Sequence, residues 1–380
     1  MYDLAAYGSM IAFKARTSAY ARGLEAHIRP GSVVLEIGAG TGILSFLACR
    51  AGAFKVYAVE SEDIIQLARE TAADNGFSSR IEFIQGLSTE IELPEKVDGI
   101  VCDLHGILPV FGKSIVSILD ARDRFLKPGG WILPERETMW AALTCCPSLH
   151  DSLINTWDTD YGFDFSRARL KAVNNMRGVR LKPEDLLVAP QRWAALDYKI
   201  LDGPSVKGDL SWLIERNATA HGVCMWYVAE TDPGSSYTNA PSVREPHVYR
   251  HAFFSWPEAV ELTAGDRVAV RLRADFVNGH YVWSWDTTLR SDSSDVKAHY
   301  RQSTLAGATL SPERLRRRAA GSVPAPNQDW RIDSKLLELI GRGISLGEIA
   351  TALLAEFPAQ LKDWSVALAR AADLSEKYSK

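Results

Sequence analysis

Cysteine is scarce in this chain, and so is any excess of charge. Five cysteines occur in 380 residues, namely Cys49, Cys102, Cys145, Cys146 and Cys224. An odd number without metal-ligand spacing argues against a disulfide framework and against a metal site, and it fits reduced thiols in a cytoplasmic protein. A net charge of −4 gives no electrostatic case for nucleic acid or an anionic membrane as partner. No apolar run approaches the ~20 residues of a membrane span, and Lys14 and Arg16 interrupt the N-terminal stretch where a secretory leader would lie. Internal repeats and low-complexity blocks are missing too. What is present is core material: 46% hydrophobic residues against 24% charged, over a length that calls for two or three domains.

The densest signal is V-V-L-E-I-G-A-G-T-G at residues 33–42, running into Ile43-Leu44-Ser45. An apolar run, three glycines at alternate positions and then a helix former describe a buried strand turning sharply into a helix. Gly38, Gly40 and Gly42 permit the tight turn and let a ligand approach bare main chain. The helix that follows aims its free N–H groups at that ligand. A dinucleotide fingerprint would read G-x-G-x-x-G, whereas this one is G-x-G-x-G with Glu36 two residues before the first glycine. A carboxylate there repels a pyrophosphate and suits a ligand carrying an ammonium and a sulfonium. Glu60 closes the next apolar run, Val56-Tyr57-Ala58-Val59, and is placed to accept from both ribose hydroxyls. Together these features favour S-adenosylmethionine (SAM) over a nicotinamide dinucleotide.

Residues 1–32 read as helical. A β/α alternation follows, with strands near 33–38, 55–60, 81–86, 97–103 and 130–133 and helices near 42–51, 62–75 and 113–125. Pro128-Gly129-Gly130 reads as a turn before the fifth strand. In such a sheet Glu36, Glu60 and Asp103 all fall at carboxyl ends of strands, where ligands bind. Beyond about 134 the helices largely stop, except around 148–190. Runs at 223–228, 259–262, 267–276 and 281–285, separated by turns, predict a mostly antiparallel β domain of sandwich or barrel type. Tyr281, Trp283 and Trp285 share one strand face and read as barrel core, with an aromatic wall for a cationic acceptor as the alternative. Residues 290–326 read as loops and linker, the basic run Arg314–Arg318 as a solvated helix face, and 333–377 as a small helical unit.

Five stretches carry a family resemblance: E-I-G-A-G-T-G-I-L-S, A-G-A-F-K-V-Y-A-V-E, L-P-E-K-V-D-G-I-V-C-D, K-P-G-G-W-I-L-P and, more loosely, W-D-T-D-Y-G-F-D-F-S. By these the N-terminal two-thirds of the chain resembles the protein arginine methyltransferases. The resemblance implies an α/β fold: a Rossmann-like SAM-dependent methyltransferase domain, an antiparallel β-barrel domain and, here, a small helical C-terminal unit. The boundaries read 1–140 for the SAM-binding domain with its N-terminal helix, 141–320 for the barrel with a helical dimerisation arm near 150–190, and 327–380 for the helical unit. A homodimer is implied. M-I-A-F-K-A-R-T-S-A-Y aligns with the family's N-terminal helix and puts Arg16 where the cofactor carboxylate binds, a role that suits a guanidinium fork. Ser88 and Thr89 fall at the adenine end, Thr89 standing where the family has an acidic residue.

The acceptor end departs from the family pattern. The family's loop after the fourth strand carries two glutamates that grip the arginine guanidinium; here Asp103 occupies the first position and Gly112 the second. The barrel motif His-Trp appears as Ser255-Trp256, and the histidine's acidic partner falls at Phe13, so both members of that pair are gone. Arginine is charged at neutral pH and needs anions to hold it, while a less basic acceptor needs a base or simple placement. His105 is a candidate general base for the latter. The altered loop therefore favours methyl transfer to a nitrogen or oxygen of a natural product, small metabolite or peptide. The alternative is arginine N-methylation of a protein or precursor peptide. A reading from another class is a non-catalytic SAM-binding or partner-binding protein. The tail, from Leu346-Gly347-Glu348-Ile349-Ala350 to Phe357-Pro358, also resembles the winged-helix peptide-binding units of ribosomal-peptide natural-product pathways, although plain helical packing accounts for the same residues.

Overall fold

Residues 3–159, 161–245 and 247–378 are described by a computed structural model; Asp160, within the W-D-T-D-Y-G-F-D-F-S stretch, lies outside them. The chain divides into two compact units, residues 1–308 and 309–380.

The first unit opens with helices α1 (Leu4–Ala12) and α2 (Lys14–His27). Then come β1 (Val33–Ile37), α3 (Ile43–Arg50), β2 (Lys55–Glu60), α4 (Ile65–Asp74), β3 (Ile81–Gln85), β4 (Val97–Cys102), α5 (Ser114–Phe125) and β5 (Leu126–Leu133). The five strands are parallel, in the order β3-β2-β1-β4-β5. All five residues of β1 are buried, as a central strand covered on both faces requires. The order reverses between β1 and β4, which opens a crevice at their carboxyl ends. Pro128-Gly129-Gly130 is not a turn ahead of the fifth strand, as the sequence predicts. It lies inside β5, where the register slips between the Val97–Leu126 and Gly99–Trp131 pairs and Gly129 takes φ +79°. The glycines that look like a turn serve a bulge.

The barrel follows as β6 (Arg136–Thr144), α6 (Pro147–Leu153), α7 (Ser166–Val173), β7 (Met176–Val179), β8 (Gln191–Asp197), β9 (Val206–Leu213), β10 (Ala218–Asp232), β11 (Ser235–Thr238), β12 (His251–Leu262), β13 (Arg267–Val277), β14 (His280–Arg290) and β15 (Val296–Ser303). One antiparallel sheet runs β7-β12-β10-β6-β8, with β11 hairpinned onto β10, and the other runs β15-β14-β13-β9. Their inner faces meet: Phe254 of β12 packs on Trp283 and Trp285 of β14 at 5.3 and 5.1 Å. Trp193 of β8 donates its indole N–H to the Leu272 carbonyl of β13 at 3.1 Å. Trp283 and Trp285 are buried, so that stripe is core and not a wall for a ligand. The sequence predicts loop where β15 stands, because an edge strand built from Lys297, His299 and Arg301 shows too few apolar residues to read as one.

Helix α2 lies against the β10–β11 hairpin. Thr231 Oγ1 donates to the Ala19 carbonyl at 2.7 Å, and a Cβ at Gly23 would stand 2.7 Å from the Thr231 carbonyl, so the small residue permits the contact. A short α8 (Thr304–Gly307) closes the unit. The second unit holds α9 (Pro312–Arg317), α10 (Gln328–Gly341), α11 (Leu346–Glu356) and α12 (Trp364–Tyr378), the last three around Ile332, Leu336, Ile349, Leu353 and Ala367. No strand occurs among its described residues, so the wing of a winged helix is not found there. The arginines of 314–318 are exposed.

Gly99 does not take a positive φ, yet a Cβ there would stand 2.0 Å from the buried Trp131 ring. Gly99→Ala is expected to cost about 1–3 kcal/mol by overpacking, read as a lower midpoint in denaturant unfolding with the slope unchanged.

Candidate active site

The crevice at the end of β1, β2 and β4 is a cavity of about 290 Å³ lined by Glu36, Gly38, Gly40, Glu60, Ser88 and Asp103 among others, with Tyr7, Met10, Ile11 and Arg16 contributed by the N-terminal helices. Gly38, Gly40 and Gly42 all take positive φ, at +73°, +52° and +87°. A Cβ on them would come within 2.5 Å of Leu104, 2.7 Å of Tyr7 and 2.8 Å of Phe46. Glycine is therefore required twice over at each position, by conformation and by space. The bare turn is fixed to the second carboxylate, since Gly40 N–H donates to Glu60 Oε2 at 2.9 Å and Glu62 N–H donates to its Oε1 at 3.0 Å.

Glu36 is buried and accepts from the Ser45 hydroxyl. Burial pushes its pKa up to about 8, against the opposing pull of Ser45 and the Arg16 charge. Glu36 is thus mostly protonated at neutral pH until a cation joins it. This corrects the sequence expectation of two ready anions, while leaving the chemistry intact: a buried acid that ionises when a cation arrives suits an ammonium and sulfonium donor. With Glu36 near the end of β1, Glu60 at the end of β2 and the main chain of Gly38 and Gly40 lining the cavity between them, the residues fit SAM. Ser88 is buried on the cavity wall, whereas Thr89 is exposed and does not line the cavity.

Asp103, just past β4, is the most heavily bonded side chain of the site. Its Oδ2 receives Arg16 Nε and Nη2, both at 2.5 Å, and the Tyr249 hydroxyl at 3.0 Å. Its Oδ1 receives His105 Nδ1 at 2.6 Å and the Tyr237 hydroxyl at 2.9 Å, while the Tyr20 hydroxyl, 3.4 Å away, donates to the Cys102 carbonyl at 2.7 Å. Burial alone would protonate it, but Arg16 and His105 outweigh burial and hold the carboxyl well below the usual carboxylate range. Reciprocally, burial would lower Arg16, yet Asp103 keeps it firmly cationic.

His105 does not stand as a general base. Its Nδ1 donates to Asp103 and its Nε2 donates to Glu137 of β6, whose other oxygen accepts from the Tyr198 hydroxyl. Burial pulls the imidazole pKa down, but Glu137 and Asp103 together raise it to about 10. A ring that is already protonated on both nitrogens has no lone pair to receive a proton. Sequence reasoning missed Glu137. The available signal is its place in the alternation Glu137, Met139, Ala141, Leu143, which puts a carboxylate on an otherwise apolar buried face. The tyrosines around Asp103 carried no signal at all, because they come from elements far apart in the chain.

Gly112, at the family's second glutamate position, has φ +49° and no side chain to offer. Ser255 is buried in β12, and Phe13 is fully buried. Phe13 stacks on His247 at 5.1 Å between centroids and 28° between planes, and packs near Tyr249 and Tyr237. Glu245, from the same barrel loop as His247, accepts from Lys14 N–H at 2.6 Å and so caps α2. The helix-to-barrel contact persists, rebuilt from rings and a cap.

Comparison with known proteins agrees with this geometry. Residues 34–130 match a methyltransferase domain family, and residues 135–290 match the arginine methyltransferase oligomerization subdomain. Protein arginine N-methyltransferase 6 of Xenopus laevis is 33% identical over 261 residues, covering 64% of this chain and 76% of that protein. The chain belongs to the protein arginine methyltransferases. It is a SAM-dependent methyltransferase of that family's architecture. The chain also matches 54% of the length of the probable protein arginine N-methyltransferase 6 of Arabidopsis thaliana, again at 33% identity, over 60% of itself. Among solved structures, a chain of the Trypanosoma brucei PRMT1 enzyme–prozyme heterotetrameric complex with AdoHcy superposes with a TM-score of 0.72 at 22% identity, over 78% of this chain and 96% of that one. Arabidopsis protein arginine methyltransferase 10 superposes at 0.69 and 21% identity, over 79% and 97%.

Two outcomes are expected at the cofactor end. Glu60→Ala removes a charged acceptor and weakens SAM affinity by about tenfold or more, measured by calorimetric titration. For Glu36, whose proton must leave as the cationic donor enters, affinity rises with pH up to about 8 and then levels. Titrations in two buffers of different ionisation enthalpy count the released proton, and Glu36→Gln removes both the slope and the count.

Proposed function

We propose that this chain transfers the methyl group of SAM to a guanidino nitrogen of arginine in a protein or peptide. The observation that carries the reading is Asp103, a carboxylate kept ionised in the cavity wall. A guanidinium is cationic at neutral pH, so it is drawn to and oriented by such a group. Methyl transfer is an in-line displacement, in which placement of the acceptor nitrogen behind the methyl does most of the work. Bound SAM would supply the electrophilic methyl and leave as S-adenosylhomocysteine as its sulfur–methyl bond breaks, with the displaced N–H proton of the acceptor passing to solvent. Arg16, on the cavity wall with its guanidinium already on Asp103, is the cation available to the cofactor carboxylate, Glu60 holds the ribose and Glu36 faces the ammonium end. The names of the relatives support arginine as acceptor. The matched oligomerization subdomain and the exposed Trp157, Phe163 and Leu170 near α6 and α7 support assembly as a homodimer through residues 150–190.

A second reading is kept by one observation. Both oxygens of Asp103 already have donors from within the chain, and residue 112 offers no second carboxylate. That balance also suits an uncharged nitrogen or oxygen on a small metabolite or natural product.

Incubation with methyl-labelled SAM and an arginine-rich peptide, followed by hydrolysis, is expected to yield methylarginine. Asp103→Asn lowers that turnover by about a hundredfold or more, a larger loss than it causes in S-adenosylhomocysteine affinity, which Arg16 also serves. Label found in an extract metabolite, with none in any such peptide, gives the function to the second reading.

A further inference from the structure

The acceptor end of the cavity rests on a chain of charges that runs into the barrel. Asp103 lines the cavity, His105 follows it with Nδ1 at 2.6 Å, and Glu137 takes the other ring nitrogen from the barrel side. The Tyr198 hydroxyl donates to the far oxygen of Glu137, and the Tyr227 ring lies flat against the imidazole at 4.7 Å and 18°. The imidazole is thus clamped at both nitrogens and on a face. His105 and Glu137 are both buried, so the two carboxylates and the ring settle their charges among themselves and not with water.

The loop itself has lost one anion, since Gly112 stands at the second glutamate position. A lone imidazolium on Asp103, beside Arg16, would leave two cations on one carboxylate. Glu137 restores the count to two cations and two anions, and it does so from a different strand. We infer that Glu137 is a positioning residue for the methyl acceptor: acting through His105, it fixes the Asp103 carboxylate in the orientation in which an acceptor meets it. The inference deepens the arginine reading and rests on it for the identity of the acceptor, but the clamp itself is a property of this chain whatever the acceptor.

Replacing Glu137 by glutamine keeps an oxygen for His105 Nε2–H and removes the charge. With Glu137 gone, the largest influence raising the His105 pKa disappears, and the burial that opposes it remains. The ring then loses its proton within the neutral range, and a neutral imidazole has only one N–H to hold two partners. The groups facing the ring do not titrate there. Asp103 stays anionic and Arg16 stays cationic. Burial pushes the Tyr20 hydroxyl of α2 and the Cys102 thiol of β4 up and away from neutrality. It does the same for Tyr198 after β8, Tyr227 of β10 and Tyr237 of β11. Tyr249, from the loop before β12, contributes a hydroxyl to Asp103.

The test is a histidine NMR titration of the full chain with S-adenosylhomocysteine bound, beside the pH profile of peptide methylation. The His105 signal is assigned by its loss in His105→Asn. In the wild type it is expected to stay in the imidazolium form across about pH 6 to 9, with the acceptor KM flat over the same window. In Glu137→Gln the signal titrates inside that window, and KM for the peptide climbs about tenfold from its acid to its alkaline end. A ring that titrates alike in both proteins overturns the inference, as does a Glu137→Gln profile that parallels the wild type. Should Glu137→Gln not bind S-adenosylhomocysteine, Glu137→Asp decides, because it keeps the charge one methylene further away. A smaller downward shift of the ring titration supports the inference, and an unmoved titration overturns it. Wild-type protein that methylates no arginine peptide defeats the arginine reading alone, since the ring titration is read without an acceptor.

Discussion

The ion pair of Arg16 with Asp103 is the contact on which the rest of the site depends. Neither charge is solvated, so each leans first on the other at 2.5 Å, with His105 and the tyrosine hydroxyls adding to the hold on Asp103. Removing one member of such a pair leaves an uncompensated buried charge, a change worth about 3–5 kcal/mol. The pair also joins elements that are independent in the sequence, a helix that precedes the sheet and a loop that follows its fourth strand. Cofactor and acceptor ends of the cavity meet at this one contact. Whatever holds Arg16 in place therefore acts on both.

What holds it is largely the barrel. Tyr237 and Tyr249 deliver hydroxyls to Asp103, Glu245 caps the helix that carries Arg16, and His247 stacks on Phe13 one turn before it. The loss of the family's His-Trp histidine together with its acidic partner reads, in the sequence, as a function abandoned in step. The structure gives that change a physical content: the contact between helix and barrel survives as aromatic stacking, which holds its geometry without a titrating pair. Charge has been withdrawn from the outer clamp and concentrated around His105, where Asp103 and Glu137 face each other across one ring.

The cofactor half was legible because it is local. Glycines, Glu36 and Glu60 lie within a β-α-β segment, so their spacing alone dictates where the turn and the carboxylates fall. Strand periods and the barrel class were legible for the same reason, down to the buried stripe of Trp283 and Trp285. β15 was not, since an edge strand needs few apolar residues, and the glycines of β5 signalled a turn where a bulge was built. The acceptor half resisted for a different reason. Asp103 and His105 stood out by position, yet their roles are set by Glu137, Tyr198, Tyr237 and Tyr249, whose proximity is a tertiary fact. His105 looked like a base because an isolated loop histidine titrates near neutrality. Two buried carboxylates make it a fixed cation instead.

The separations along the chain carry one more consequence. Tyr237 and Tyr249 lie 134 and 146 residues beyond the aspartate they stabilise. During synthesis the nucleotide-binding half emerges from the ribosome long before them, bearing an aspartate that Arg16 and His105 already pair but that lacks the two barrel hydroxyls. A gene cut after the fifth strand would keep the Arg16–Asp103 pair and lose Glu137, Tyr237 and Tyr249, leaving the acceptor wall without its barrel-side support.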